Sequence, residues 1–206
     1  MKRRRFSQRA KTLTRLKNTR NLRRILVVCE GEKTEPNYFK KFPDNPDVYD
    51  QINIYGIGYN TISLVNEAIR LKTEALKRKE PYIEVWCVFD KDDFPVDQFQ
   101  NAITLAKSNH INCAYSIEAF ELWYMLHFNF YDAVLSRDQY KEKLSGLLNR
   151  PYRKNDDNIY SILHRRLKIA MKNARKLYAL QHNQSVTNQN PITTVFLLVE
   201  RLIGIS

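Results

Sequence analysis

Apolar and polar positions divide the chain into strand-like runs and helix-like stretches that alternate. Ile25, Leu26, Val27, Val28 and Cys29 run unbroken into Glu30 and Gly31. A short apolar run bounded by turn residues predicts a strand buried on both faces, as in the centre of a parallel sheet. Residues 51–55 (QINIY) alternate and predict a second strand, closed by Gly56-Ile57-Gly58. Residues 82–89 predict a third that runs straight into Asp90, Lys91, Asp92 and Asp93, and residues 112–117 (NCAYSI) a fourth.

The stretches between them carry helical spacing. Thr34 is placed to cap a helix that opens at Glu35-Pro36, with Tyr38, Phe39 and Phe42 on its apolar face. A long helix from Asn60-Thr61 to about residue 79 repeats Leu64, Val65, Ala68, Ile69, Leu71 and Leu76 near a 3.6 period, and residues 95–107 repeat Val96, Phe99, Ile103 and Ala106. A β-α-β-α-β-α-β order with right-handed crossovers gives an α/β fold: a mostly parallel four-stranded sheet with helices on both faces. Beyond it, residues 118–130 are dense in aromatics at helical spacing and residues 149–158 are a polar interruption. Residues 159–179 read as a basic helix, and residues 192–203 as a closing helix capped near Thr193 or Thr194. The expected organisation is a flexible basic arm over 1–24, an α/β core over 25–118, and a helical extension over 119–206 packed on that core.

Charge changes this picture because it is segregated. Residues 1–24 hold eleven Lys/Arg and no Asp/Glu, residues 25–149 thirteen against nineteen, and residues 150–206 ten against three. An acidic body between two basic regions suits polyanion binding, since phosphate backbones reward clustered cations through counterion release. The candidate contacts are Arg3, Arg4, Arg5, Arg23 and Arg24 on the arm and Arg165, Arg166, Lys168 and Lys172 on the basic helix; a solvated basic surface with no partner is the alternative. No apolar run reaches the roughly 18 residues of a membrane span, and the N-terminus lacks the apolar stretch of a secretory signal. The expectation is a soluble cytoplasmic protein with no membrane association. The three cysteines, Cys29, Cys87 and Cys113, fall in predicted strands without ligand spacing and read as reduced core residues.

The candidate chemistry lies at the strand ends. Open α/β sheets bind ligands outside the carboxyl ends of their strands. If the first and third strands are parallel neighbours, Glu30 and the Asp90/Asp92 pair converge there, and clustered carboxylates ionise together only with a cation between them. That reading is a Mg²⁺ site, with Mn²⁺ able to substitute. Glu30, Asp90 and Asp92 are the candidate ligands and catalytic residues, Glu30 doubling as general base, with Asp93 as a reserve ligand. Gly31, Lys33 and Glu121 form a possible secondary set. Glu32 and Glu35 read as charge at a helix N-terminus, and Lys33 as an exposed lysine or a phosphate contact. Glu121, amid Phe120, Leu122 and Trp123, must pair with a cation, cap a group or reach the metal. His127 and the aromatics around it read as core.

A strand ending in Glu30-Gly31 and a later one ending in Asp90-Lys91-Asp92 resemble the Toprim domain of topoisomerases, bacterial primases and OLD-type nucleases. Four longer pieces, VCEGEKTEPNYF, FDKDDF, AFELWYMLHF and NPITTVFLLVERL, together resemble the RloB family, also represented in AbiLii-type phage-defence proteins, from Ile25 to nearly the end of the chain. One departure is local: the family pattern has Asn-Pro before the aromatic segment, where this chain has Ile117-Glu118. The resemblance implies a Toprim-like fold, carboxylates that bind Mg²⁺, hydrolysis of phosphodiester bonds in DNA or RNA, and a role in anti-phage defence or restriction beside an AAA-type ATPase. The alternative it leaves is a non-catalytic metal- and nucleic-acid-binding partner of that ATPase, and a homo-oligomer is compatible with either. No Walker loop, Ser/His/Asp set or zinc motif is present.

Overall fold

The computed structural model describes residues 22–43, 45–58, 60–91, 95–185 and 188–205. The basic arm with Arg3, Arg4 and Arg5, and the ligand candidates Asp92 and Asp93, lie outside them. Among the described residues, no helix is long and apolar enough to cross a membrane.

The apolar runs form the sheet they predict. β1 (Arg24–Cys29) lies between β2 (Gln51–Gly56) and β3 (Tyr82–Asp90), and β4 (Asn112–Ile117) lies beyond β3, all parallel. Successive side chains alternate between the two faces of the sheet. Leu26, Val28, Val85, Cys87 and Phe89 meet α2 (Thr61–Lys77) and α3 (Val96–Ser108) on one face, through Leu64, Val65, Ala68, Phe99, Ala102 and Ala106. Ile25, Val27, Cys29, Trp86 and Val88 face the other way, into a larger aromatic cluster. That cluster is built by α1 (Thr34–Phe39), α4 (Glu121–Met125), α5 (Arg137–Leu148), α6 (Ile159–Leu163), α7 (Leu167–Gln181) and α8 (Val195–Ile203). Both faces being buried explains why β1 shows no polar alternation. Cys29, Cys87 and Cys113 are free thiols on these strands.

Five expectations need correction. The sheet has five strands rather than four, because Ile192 and Thr193 form β5, antiparallel to β4, with Ser116 opposite Thr193 and Ile117 opposite Ile192. The Tyr115 N–H donates to Thr194 Oγ1 (2.8 Å) and the Thr194 N–H to the Tyr115 carbonyl (2.8 Å), so this short strand covers a sheet edge that would otherwise leave its backbone unpaired. The closing helix consequently starts at Val195, not residue 192. The basic stretch is two helices joined by a 3-10 turn at His164–Arg166, not one. The aromatic segment is α-helical only over Glu121–Met125. Thr34 is the first residue of α1 rather than its cap; its hydroxyl donates to the Lys154 carbonyl (2.9 Å), which ties α1 to the polar 149–158 segment.

Candidate functional site

β1 and β3 are hydrogen-bonded neighbours with Cys29 opposite Val88, and the ladder continues through the Glu30 N–H, which donates to the Val88 carbonyl (2.9 Å). Glu30 and Asp90 therefore leave the sheet side by side. The Asp90 N–H donates to Glu30 Oε2 at 3.1 Å, and Asp90 Oδ2 accepts the Phe120 N–H at 3.0 Å from the segment that enters α4. Glu30 and Asp90 thus lie together; Asp92, the third member of the expected set, lies outside the described residues.

Two further carboxylates join them from the aromatic face. Glu35, in the first turn of α1, and Glu121, at the start of α4, are each 5 % exposed. Glu121 Oε1 accepts the Tyr152 hydroxyl (3.1 Å). Glu35 Oε2 and Asp90 Oδ1 are buried and have no hydrogen-bond partner. Gly31 permits this crowding: a Cβ there would lie 2.2 Å from Glu35 Oε2. Gly56, at the end of β2, closes the turn from behind, where a Cβ would meet the Gly31 carbonyl oxygen at 2.5 Å and Glu32 Cα at 2.9 Å. The glycine at 31 thus makes room for an acid, and the one at 56 for backbone.

Protonation follows from this packing. Burial pushes the Asp90 carboxyl well above the usual carboxylate range; the charges of Glu35, Glu121 and Glu30 push the same way, against the Phe120 amide. Burial also lifts Glu35 to about 7, helped by Glu121 and opposed by Lys154 and by the backbone amides of Glu35 and Gly31. Crowding acids in a dry site raises the cost of their ionised forms. A cation reverses that cost.

The donor set fits a hard divalent cation. Every donor is a carboxylate oxygen, two buried oxygens lack a partner, and the charges repel one another until compensated. Among the described residues no three His, Cys, Asp or Glu side chains already close on one point.

Basic side chains line the same cleft as the acids. Glu30, Glu35 and Asp90 line a cleft of about 540 Å³ together with Lys33, Arg137 and Lys154. Arg137 sits there because Ser136 and Gln139 form a capping box that fixes the start of α5 (Ser136 N–H to Gln139 Oε1, 2.8 Å; Gln139 N–H to Ser136 Oγ, 3.4 Å). Lys154 is held by the Thr34 bond and by Asn37 Nδ2 donating to Asp157 Oδ1 at 2.7 Å.

The remaining predicted residues are distributed as follows. His127 is buried, with Nδ1 2.9 Å from the Trp123 carbonyl and Nε2 3.4 Å from the Tyr38 hydroxyl. Arg23 bonds Asp50 and the Asp47 carbonyl, Arg24 pairs with Glu80 (3.0 Å) and lies over Tyr82, and Arg166 lies over Phe128. Arg165, Lys168 and Lys172 are at the surface on the 3-10 turn and α7. Glu35, Arg137 and Lys154 join the site unpredicted. The sequence signal for Glu35 was a carboxylate one helical turn after a Glu-Gly strand end. For Arg137 it was the Ser136-x-x-Gln139 box. Lys154 had none.

A mostly parallel α/β sheet with an acidic cleft at the carboxyl ends of its central strands defines an α/β protein that places its polar groups where such folds bind ligands. Within that class the chain belongs to the RloB-like protein family, whose model matches residues 25–202. Neither the curated proteins nor the solved structures give a match.

Proposed function

We propose that the chain is a Mg²⁺-dependent phosphodiesterase of Toprim type acting on DNA or RNA. The observation that carries this reading is that the cleft lined by Glu35 and Asp90, each with a buried, partnerless carboxylate oxygen, is also lined by the cations Arg137 and Lys154. Glu30, Glu35 and Asp90 would hold the metal, joined by Asp92 and Asp93. Bound there, Mg²⁺ would polarise a phosphodiester oxygen and offset the charge that develops on it. Arg137 and Lys154, which line the same cleft, would orient the phosphate. Glu30 is braced by the Asp90 amide, which suits a fixed ligand. The RloB-family resemblance supports a setting in anti-phage defence with an AAA-type ATPase partner.

The test is incubation of end-labelled single- and double-stranded DNA and RNA with the purified chain in Mg²⁺, Mn²⁺ or EDTA, alone and with the neighbouring ATPase. Metal-dependent cleavage lost in Asp90→Asn is the expected result. Absence of cleavage in every condition refutes the reading. A second reading, a non-catalytic metal- and nucleic-acid-binding partner of the ATPase, draws on the fact that among the described residues no three donors already converge. Under it Asp90→Asn leaves phage restriction intact.

A further inference from the structure

A second cavity, of about 440 Å³, opens beside the acidic cleft and shares Arg137 and Lys154 with it. Lys141, one helical turn after Arg137 on α5, and Arg153 complete its basic lining, while Asp138 stands among them and Glu121 contributes the acidic group nearest the first cleft. Among the described residues, Lys141, Arg153 and Lys154 make no ion pair. Lys141, Arg153 and Lys154 line one small cavity, and like charges so placed are stabilised by an anion between them. The cavity has the size of a nucleotide site. Its one aromatic lining residue, Tyr152, is 2 % exposed and donates its hydroxyl to Glu121, so no ring is presented for a base to stack on.

The geometry points to this cavity as the subsite for the backbone phosphate of a nucleic-acid strand that flanks the bond placed in the acidic cleft. The inference rests on the nucleic-acid reading above and adds to it where the strand runs and how it is read. The strand leaves the acidic cleft past Arg137 and Lys154 toward Lys141 and Arg153, held by its phosphates. Recognition on this side is therefore indifferent to base identity.

The experiment is fluorescence anisotropy with labelled 12-nucleotide single strands, one all-dA and one all-dT, in EDTA across a salt series. The variants are Lys141→Glu/Arg153→Glu and a control pair, Lys77→Glu/Lys107→Glu, which makes the same charge change at exposed positions on α2 and α3, across the sheet. The first pair is expected to weaken binding roughly tenfold or more and to flatten the salt slope by about 1.4, the value of two single-strand phosphate contacts. Both oligonucleotides respond alike, and the control pair moves binding by less than about threefold. If the reversal lowers the melting temperature, the neutral pair Lys141→Gln/Arg153→Gln replaces it, with the same flattening expected. Unchanged affinity and slope, or the same loss in the control pair, overturns the subsite. A variant that loses binding of a labelled mononucleotide while the oligonucleotides bind as before assigns the cavity to a small effector and overturns it equally. Because the measurement is made without metal, a chain that never cleaves yet loses strand binding on reversal refutes the catalytic reading and leaves this one standing.

Discussion

The two faces of the sheet are packed by different rules. On one, α2 and α3 lay Leu64, Val65, Ala68, Phe99, Ala102 and Ala106 over Leu26, Val28, Val85 and Phe89, and none of the buried residues there is charged. On the other, Tyr38 packs edge-on against Phe39, Phe42, Phe120 and Trp123, and Glu35, Glu121 and His127 are buried among or beside these rings. Burying carboxylates costs several kcal/mol unless each is compensated. A face that tolerates them beside a second face of the same chain that excludes them is organised by something other than stability. Aromatic rings suit that role, since they fill volume rigidly around polar groups and bring few rotatable bonds.

The contrast is broken most sharply by comparing substitutions across the sheet. Asp90→Asn is expected to lower metal-dependent cleavage on the order of 10⁴-fold, about 5 kcal/mol of transition-state stabilisation, measured by initial rates on a labelled substrate. Its thermal stability without metal should match or exceed that of the wild type, because the amide removes a repelling acid. Phe99→Ala, on the aliphatic face, is expected to do the reverse. It should cost about 4 kcal/mol of unfolding free energy in a denaturant titration, with the rate per folded molecule nearly unchanged. Equal loss of rate in both variants would mean that the faces are not functionally distinct.

Gly31→Ala probes how tightly the acids are set. The new methyl would overlap the Glu35 carboxylate, the end of a side chain that is itself boxed in, so Glu35 must swing away. We expect about 2 kcal/mol of destabilisation and a cleavage rate down roughly a hundredfold, equivalent to about 3 kcal/mol. Rescue by Gly31→Ala/Glu35→Asp, which shortens the colliding side chain, would locate the fault in that contact.

How much of this was legible in the sequence follows from which interactions are local. The four parallel strands and the helices between them were readable because each is written in its own periodicity, and Glu30 and Asp90 because they end two of those strands. β5 was not, since two residues carry no period and Ile192 and Thr193 become a strand only because the edge of β4 is there to pair with. The 3-10 turn within the basic stretch was hidden for a related reason: residues 159–179 keep a nearly continuous helical spacing through it. At the site, Glu35 resembled helix-end charge because its burial depends on α4 and on the 149–158 segment, both far along the chain. Lys154 reaches the cleft through its carbonyl's bond from Thr34 and the neighbouring Asp157's bond from Asn37, each joining residues about 120 positions apart.

The smallest expected effect separates the buried groups of the aromatic face from one another. His127 is held neutral, its pKa pushed down to about 4 by burial, against 6.5 for a free histidine. The unfolded chain therefore takes up a proton first, and the stability His127 contributes is present above about 6.5 and is lost as pH falls toward 4. Glu35 has the opposite sign: raised from 4.5 to about 7, it binds a proton more readily folded than unfolded, so its contribution is present below 4.5 and is lost as pH rises through 7. Between about pH 7 and pH 5.5 the histidine should remove about 1 kcal/mol, and the glutamate, whose contribution grows by slightly more over the same range, should offset that loss in the intact chain. His127→Gln removes only the first trend, so its stability should rise, relative to wild type, by about 1 kcal/mol on going from pH 7 to pH 5.5, as read from paired denaturant titrations. Added Mg²⁺ should silence only the second, because holding Glu35 ionised removes its proton uptake while His127, sealed between Trp123 and Tyr38, does not sense the ion. A metal that flattened both trends equally would place His127 in electrical contact with the acids and erase the distinction between a residue that packs the face and one that serves the cleft.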